Sequence, residues 1–354
     1  PAFAALRAEI EALLPAGRPD AEAGLWAQPQ GDALYAANVR ALGDTRLTAE
    51  EVHRLGLDEV ERITAQMNDL LAKQGLTQGS IGARMSALAY DPANQFADSD
   101  AGRAELLDYV RGKVRMAEGL YPQMLPEALI PRQALVVKRV PVATQDGAPG
   151  GFYDGPSLDG TRPGTYWINL RDMAAVARFR LPTLSFHEGV PGHHTQGAVA
   201  GMLGEAPLLV RIASFNAYQE GWALYAEQLM AELGAYADDP LGNLGRLQDE
   251  LFRAVRLVVD TGLHHKRWSR ELAIQTMQGL TGIAATRVTA EVERYMAWPG
   301  QALGYKLGQL RLLDLRRAYL ARKGKEADLR QFHAIVLEAG AMSLDLVSSR
   351  LTNS

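Results

Sequence analysis

Residues 184–196 read Leu-Ser-Phe-His-Glu-Gly-Val-Pro-Gly-His-His-Thr-Gln, and the sequence changes character at this stretch. From about Leu184 almost to the C terminus, apolar residues recur at helical spacing. Upstream, the segments 134–140 and 165–170 are rich in β-branched and aromatic residues and predict two strands. We therefore expect a mainly α-helical fold with a small antiparallel β-sheet just before the histidine-rich stretch.

Further helices are predicted on both sides of this sheet. Thr48 is an N-cap candidate with Glu51 three residues on, which is the pattern of a capping box. Residues 120–131 contain three prolines and predict a connector, and the Gly-rich segment 147–164 predicts a loop or hairpin. The other predicted helices are 101–116, 206–233, 243–269, 271–281, 287–297 and 327–350. We expect a helical region over 1–132 and a catalytic region over 133–354, with its sheet in 133–170, joined in one compact unit.

Composition narrows the chemistry that the chain can support. The 354 residues are 47% hydrophobic and 22% charged with a formal net charge of −4, typical of a globular protein and unfavourable for nucleic-acid binding. There is no cysteine, so disulfides and thiolate metal sites are excluded. No apolar run is long enough to span a membrane. No signal peptide is visible, and the chain opens at Pro1 in mid-pattern, which is compatible with the loss of an upstream segment.

The histidine-rich stretch predicts a metal site. Three of the seven histidines lie at His187, His193 and His194, beside Glu188, and the short zinc-hydrolase motif is H-E-x-x-H on a helix. Two zinc-bound nitrogens must lie within roughly 4 Å of each other. On a regular helix His193 would be about 120° off the face of His187, and His194 about 10 Å further along the axis. We expect Pro191 and its glycine neighbour to kink the helix and a bulge to absorb the extra residues.

The second and third ligands follow from the same reasoning. His193 is favoured over His194 because fewer extra residues must be absorbed. Glu220 lies among Trp222 and other apolar residues, where an unpaired carboxylate is costly to bury, so a zinc ion is its expected partner. Glu227 is on the same helical face and is expected to orient a histidine ligand. The competing interpretation is a Pro-Gly loop with incidental histidines and solvated helix carboxylates.

Four stretches together resemble a known family: 186–196, Tyr-Gln-Glu-Gly-Trp-Ala-Leu-Tyr-Ala-Glu at 218–227, Asp-Thr-Gly-Leu-His at 260–264, and 294–308. They are similar to the bacterial domain-of-unknown-function 885 (DUF885) family, over essentially the whole chain. The resemblance implies a helical, zincin-like metallopeptidase of the gluzincin type, corresponding to the C-terminal two-thirds of longer members. It favours a periplasmic or extracellular location and leaves a cytoplasmic one open. Dipeptidyl-peptidase III is a precedent for stretched ligand spacing.

The expected activity is hydrolysis of an amide bond with one Zn²⁺ per chain. Glu188 is the expected general base for a zinc-activated water. His264, oriented by Asp260, and Tyr305 are candidate donors to the oxyanion. Further site candidates are Arg294, which is expected to bind a substrate carboxylate, and Tyr153, in a segment expected to line the cleft beside a peptide-binding sheet edge.

Three alternatives stay open on the sequence alone. The chain could be a metal-binding protein without catalysis, although Glu188 is needed only for proton transfer and speaks against this. The same ligands would serve a hydrolase of non-peptide amides or esters. Manganese or cobalt would also tolerate histidine and glutamate ligands. The expected partner is a peptide or another small amide, with no nucleic acid.

Overall fold

The computed structural model describes residues 2–157, 161–202, 213–338 and 340–354, and this part of the chain is mainly helical. The N-terminal helices are α1 (Ala2–Leu13), α2 (Gly31–Gly43), α3 (Ala49–Lys73), α4 (Ile81–Tyr90), α5 (Asp100–Glu118) and α6 (Tyr121–Met124). The strands are β1 (Val136–Arg139), β2 (Gly151–Asp154) and β3 (Thr165–Ile168). The later helices are α7 (Leu181–Glu188), α8 (His193–Gly201), α9 (Asn216–Glu232), α10 (Pro240–His264), α11 (Arg270–Thr281), α12 (Ala285–Ala297), α13 (Leu303–Lys323), α14 (Leu329–Leu337) and α15 (Leu344–Thr352).

Helix α3 joins the N-terminal region to the later helices. It begins at the predicted capping box, in which the Thr48 hydroxyl accepts from Glu51 N and the Glu51 carboxylate accepts from Thr48 N. Its apolar stripe, including Ile63 and Met67, packs into one core with the apolar face of α10. Because burial of this stripe stabilises both helices, the predicted regions 1–132 and 133–354 share a core.

The small sheet is mixed, so the prediction of an antiparallel sheet is wrong in part. Its order is β1-β3-β2, with β1 parallel to β3 and β2 antiparallel to β3. Strand β2 lies inside the Gly-rich segment that predicted a loop or hairpin. The chain reverses direction once before β2 and once after it, and these two reversals leave β3 parallel to β1. Helix α5 packs beside β1, whereas β2 forms the opposite edge.

The C-terminal helices follow the predicted segments with three differences. The predicted helix 327–350 is two helices, α14 and α15, separated by Gly340 with a positive φ of 70°. Of the segment 206–233, the helix α9 begins at Asn216, and residues 206–212 lie outside the described part. Helix α13 was not predicted from the sequence. Polar side chains, among them Lys306 and Gln309, are buried on it and interrupt its apolar stripe. Within the described residues, no helix is long and apolar enough to cross a membrane.

Candidate metal centre

The histidine-rich stretch forms two helices rather than one bulged helix, which corrects the expected geometry. Helix α7 ends at Glu188, and α8 begins at His193 after a turn that contains the cis peptide bond Val190–Pro191. A Cβ atom at Gly192 would lie 1.9 Å from the His187 carbonyl oxygen, so this close turn requires glycine. The Trp222 Nε1–H of α9 donates to the Pro191 carbonyl at 2.9 Å and holds the turn against α9.

The turn brings His187 and His193 together with Glu220 of α9. Glu220 Oε2 lies 3.3 Å from His193 Nε2 and 3.7 Å from His187 Nε2, and one ligand atom from each of the three residues lies within 4.8 Å of the others. Ligands at about 2.0–2.1 Å from a tetrahedral zinc ion are separated by about 3.3 Å. The donor set and its spacing therefore fit a zinc ion with an open fourth position.

Glu227, two helical turns beyond Glu220 on α9, contacts the other ring nitrogen of His187. Its Oε1 accepts from His187 Nδ1–H at 2.7 Å, and both side chains are buried. In the neutral ring this bond keeps the proton on Nδ1 and leaves the Nε2 lone pair directed towards Glu220, the form that a metal ligand requires. Burial alone would lower the pKa of His187, but the carboxylates of Glu220 and Glu227 raise it to about 9. The structure thus places Glu227 in its predicted orienting position.

His194 points away from the three converging ligand atoms. Its Nε2–H donates to the Gln133 carbonyl at 3.1 Å, and its Nδ1 accepts from the Tyr153 hydroxyl at 3.1 Å. The ring is buried, and this burial lowers the pKa of His194. Both nitrogens are therefore occupied, and His194 with Tyr153 attaches the start of α8 to β2 and to the segment before β1.

Glu188, the candidate general base, lies in the same cavity as the three ligand residues. It is buried beside His187, lines a cavity of about 1010 Å³ with the three ligand residues, and makes no hydrogen bond to any described residue. A buried carboxylate without a protein partner is costly unless water or a ligand satisfies it. Its oxygens are consequently available to a water molecule in the cavity.

Tyr305 of α13, a candidate oxyanion donor, also lines this cavity. Its ring is nearly parallel to that of His187, with an interplanar angle of 11° and the centroids 6.5 Å apart. The Arg256 guanidinium lies over the Tyr305 ring, 4.2 Å from its centroid. Burial and the Glu220 charge raise the pKa of Tyr305 to about 12. Its hydroxyl therefore keeps its proton at neutral pH and can donate a hydrogen bond.

His264 and Asp260 do not line the cavity. His264 Nδ1 accepts from Leu25 N–H at 2.9 Å, and its Nε2–H donates to the Tyr295 carbonyl at 3.1 Å, so neither nitrogen is available to a substrate. Asp260 accepts from the Tyr35 hydroxyl at 2.6 Å and from Gly300 N–H rather than from the imidazole. These contacts join the N-terminal region to α10, and the expected pairing of Asp260 with His264 as an oxyanion donor has no support in the geometry.

Arginines are prominent in the cavity lining, and most of them were not predicted from the sequence. Arg294, the predicted carboxylate-binding residue, is engaged by Gln301 and by Glu291 Oε2. Five other arginines also line the cavity: Arg171, Arg180, Arg253, Arg256 and Arg287. Two of them could have been predicted, because Arg253 and Arg256 interrupt the apolar run 251–259 of α10. A charged side chain is costly to bury without a partner, which is the same reasoning that identified Glu220.

The sheet presents an edge to the cavity. Residues 150–153 line it, whereas residues 162–164 do not, and Gly164 packs against Tyr153 and His194. Asn169 N–H donates to the Gly150 carbonyl, so by antiparallel alternation the peptide groups of Gly151 and Tyr153 face away from β3. This edge has the polar groups that an extended peptide could pair with.

Comparisons with known proteins place this architecture in a bacterial family. Residues 1–351 match the family described as "Bacterial protein of unknown function (DUF885)". A solved structure described as a "putative lipoprotein" from Colwellia psychrerythraea is 51% identical with a TM-score of 0.94, over 97% of this chain and 58% of that one. A "putative lipoprotein of unknown function" from Shewanella oneidensis shares the fold, with 20% identity, a TM-score of 0.76, and coverage of 98% of this chain and 63% of that one. No curated protein matches the chain. The chain spans less than two thirds of both solved proteins.

Proposed function

The chain belongs to the DUF885 family of bacterial proteins, and we propose that it is a zinc-dependent hydrolase of that family that cleaves peptide bonds. The observation that supports this most directly is the convergence of His187, His193 and Glu220 beside a carboxylate, Glu188, that has no hydrogen-bond partner among the described residues. A site that only stored a metal would need the three donors and would gain nothing from an unpaired buried carboxylate next to them.

The proposed chemistry assigns a separate task to each residue. A bound zinc ion would supply Lewis-acid activation of water and of the scissile carbonyl. The Glu188 carboxylate takes the proton of the attacking water and delivers it to the nitrogen of the leaving amine. The Tyr305 hydroxyl is protonated at neutral pH, as any tyrosine is, and its pKa is raised further to about 12. It donates to the oxyanion that develops on the carbonyl oxygen. Glu227 keeps the His187 ring in the orientation that binding requires.

The cavity supports a peptide as the substrate. The edge of β2 offers the outward peptide groups of Gly151 and Tyr153 beside Glu188, and an extended main chain can pair with such an edge. An envelope location is part of the proposal, because the 51% identical Colwellia protein is described as a "putative lipoprotein". The substrate would then be a peptide outside the cytoplasm.

Metal content and turnover of the wild type and three variants test the proposal. We expect the wild type to bind one zinc ion per chain and to hydrolyse members of a short-peptide library. Glu188→Gln should retain the zinc ion but lose at least about 100-fold in kcat, because proton transfer is removed. Glu220→Ala should lose the metal, because a ligand is removed. Glu232→Gln, at the far end of the same helix, is the matched control and should behave as the wild type.

Two results would contradict the proposal in different ways. Absence of zinc from the wild type after incubation with the metal would exclude the metal centre. Stoichiometric zinc with cleavage of esters or non-peptide amides but of no peptide would retain the hydrolase and exclude the peptidase. Elemental mass spectrometry measures the metal, and chromatographic detection of new amino termini measures cleavage.

A further inference from the structure

Five of the arginines that line the cavity belong to one cluster, the arginine wall: Arg180, Arg253, Arg256, Arg287 and Arg294. Four of its five arginines are held by two acidic residues of α10 and α12. Asp249 pairs with Arg180 and Arg253, and Glu291 pairs with Arg256 and Arg294 at 2.9 Å each. Arg253 also lies 3.6 Å from Glu227, so this charged wall adjoins the residue that holds His187.

Arg287 of α12 differs from the other four. It lines the cavity and is half-buried. Its guanidinium lies over the Phe252 ring, 5.5 Å from the centroid, and makes no hydrogen bond or ion pair with any residue that the structure describes. Its guanidinium lies beside Gly150, directly before the edge strand β2. Burial, together with the nearby charge of Arg180, lowers the pKa of Arg287 to about 10, so the group is still charged at neutral pH. Asp249 and Glu291 are near enough to offset part of this effect, but neither carboxylate accepts a hydrogen bond from Arg287. A half-buried guanidinium that donates no hydrogen bond to the protein is unfavourable unless water or an anionic ligand accepts from it.

We propose that Arg287 binds the terminal carboxylate of a short peptide, so that the cavity accepts small peptides with a free C-terminal end. The fork of the guanidinium matches a carboxylate in two parallel hydrogen bonds. Arg294 is less suited to this task because Gln301 and Glu291 already engage it. The volume of about 1010 Å³ is at the upper end of the range for ligand pockets and is large enough for a short peptide. The inference rests on the proposed peptidase function, since the ligand is its substrate.

Binding of a matched pair of peptides tests the role of Arg287 without turnover. N-acetyl-trialanine and its C-terminal amide differ only in the terminal charge, and calorimetry on the metal-free full chain would compare them. We expect the acid to bind about tenfold to a hundredfold more tightly, the usual range for a hydrogen bond between charged groups. Arg287→Gln should abolish this preference, and Arg287→Lys, which keeps the charge and loses the fork, should retain only part of it.

The control is Arg317→Gln, which removes a guanidinium from the exposed face of α13 and should leave the preference unchanged. Equal binding of acid and amide, no measurable binding of either, or a preference that survives Arg287→Gln would overturn the inference. So would tight binding of inorganic phosphate through Arg287 without binding of the peptide acid.

Cleavage by the zinc-loaded protein separates the two proposals. Hydrolysis of acid and amide with the same kcat/KM in the wild type would retain the peptidase and overturn the carboxylate site. A preference for the acid in binding, without cleavage of any peptide, would retain the carboxylate site and exclude the peptidase.

Discussion

Two adjacent imidazoles in the same turn have different tasks because their surroundings differ. His193 faces Glu220 across 3.3 Å, while His194 has both nitrogens bonded to the Gln133 carbonyl and the Tyr153 hydroxyl. A metal ligand needs one free nitrogen with its lone pair directed at the ion. At the residue scale the hydrogen bonds of the ring, rather than its distance in sequence from His187, decide which histidine can bind a metal.

Alanine substitution of each histidine in turn should separate these tasks. We expect His193→Ala to contain little zinc after dialysis, because only two ligands remain. His194→Ala should retain close to one zinc ion per chain, although loss of its two hydrogen bonds should cost about 1–3 kcal/mol of stability. Elemental mass spectrometry beside denaturant unfolding measures both quantities. Loss of zinc in His194→Ala from a protein that is still folded would reverse the assignment.

At the scale of elements, the site depends on how closely α9 approaches α13. A Cβ atom at Gly221 would lie 2.5 Å from the Gly308 carbonyl carbon, and one at Gly308 would lie 2.0 Å from the Ala217 carbonyl oxygen. The two backbones therefore touch at a crossing that only glycine permits. Glu220 adjoins this crossing on α9 and Tyr305 lies one turn before it on α13, so the crossing sets the spacing between the metal ligands and the candidate oxyanion donor.

Adding one methyl group at this crossing should affect both stability and metal binding. Gly221→Ala places a methyl group against backbone atoms that cannot rotate away, and we expect a loss of at least about 1–3 kcal/mol in the free energy of unfolding. Displacement of Glu220 should also weaken zinc binding, which a competing chelator would measure. Gly112→Ala is the matched control: its Cβ would meet only an Arg115 side-chain atom at 4.0 Å, so a small gain in stability is expected. Unchanged stability and zinc affinity in Gly221→Ala would show that the helices can separate without cost.

Local sequence patterns predicted the helices and the candidate ligands more accurately than they predicted contacts between distant segments. The capping box of α3 and the candidate ligands His187, His193 and Glu220 follow from spacing and from the cost of burying a carboxylate, and the structure brings the three together, although metal binding there stays a prediction. The parallel pairing of β1 with β3 depends on a third strand hidden in a Gly-rich segment. The placement of His264 was missed because Leu25, its backbone partner, is 239 residues away in sequence.

The whole molecule is held by buried polar contacts between distant segments. Lys306 of α13 is fully buried and pairs with Glu59 of α3 at 2.9 Å and with Glu250 of α10 at 2.8 Å. His333 of α14 connects α6 with α9. Its Nδ1–H donates to the Met124 carbonyl, and its Nε2 accepts from the Tyr225 hydroxyl, each at 2.7 Å. These contacts satisfy neutral imidazole completely, so the fold selects the uncharged form of His333.

The neutral state of His333 should make the fold sensitive to acid. Burial lowers the pKa of His333 to about 4, below the value of about 6.5 expected in the unfolded chain. The unfolded state therefore binds the extra proton first, and this contribution to stability is full above pH 6.5 and is lost as the pH falls towards 4. The shift corresponds to about 3 kcal/mol.

His333→Gln should be less stable than the wild type at pH 7, because it loses the contacts of the imidazole. Between pH 7 and pH 4.5 the free energy of unfolding should decrease in both proteins, and the decrease should be about 2–3 kcal/mol smaller in His333→Gln. Urea unfolding at both pH values measures this difference, and parallel losses in the two proteins would show that His333 is already protonated in the folded state or that other groups govern the acid response.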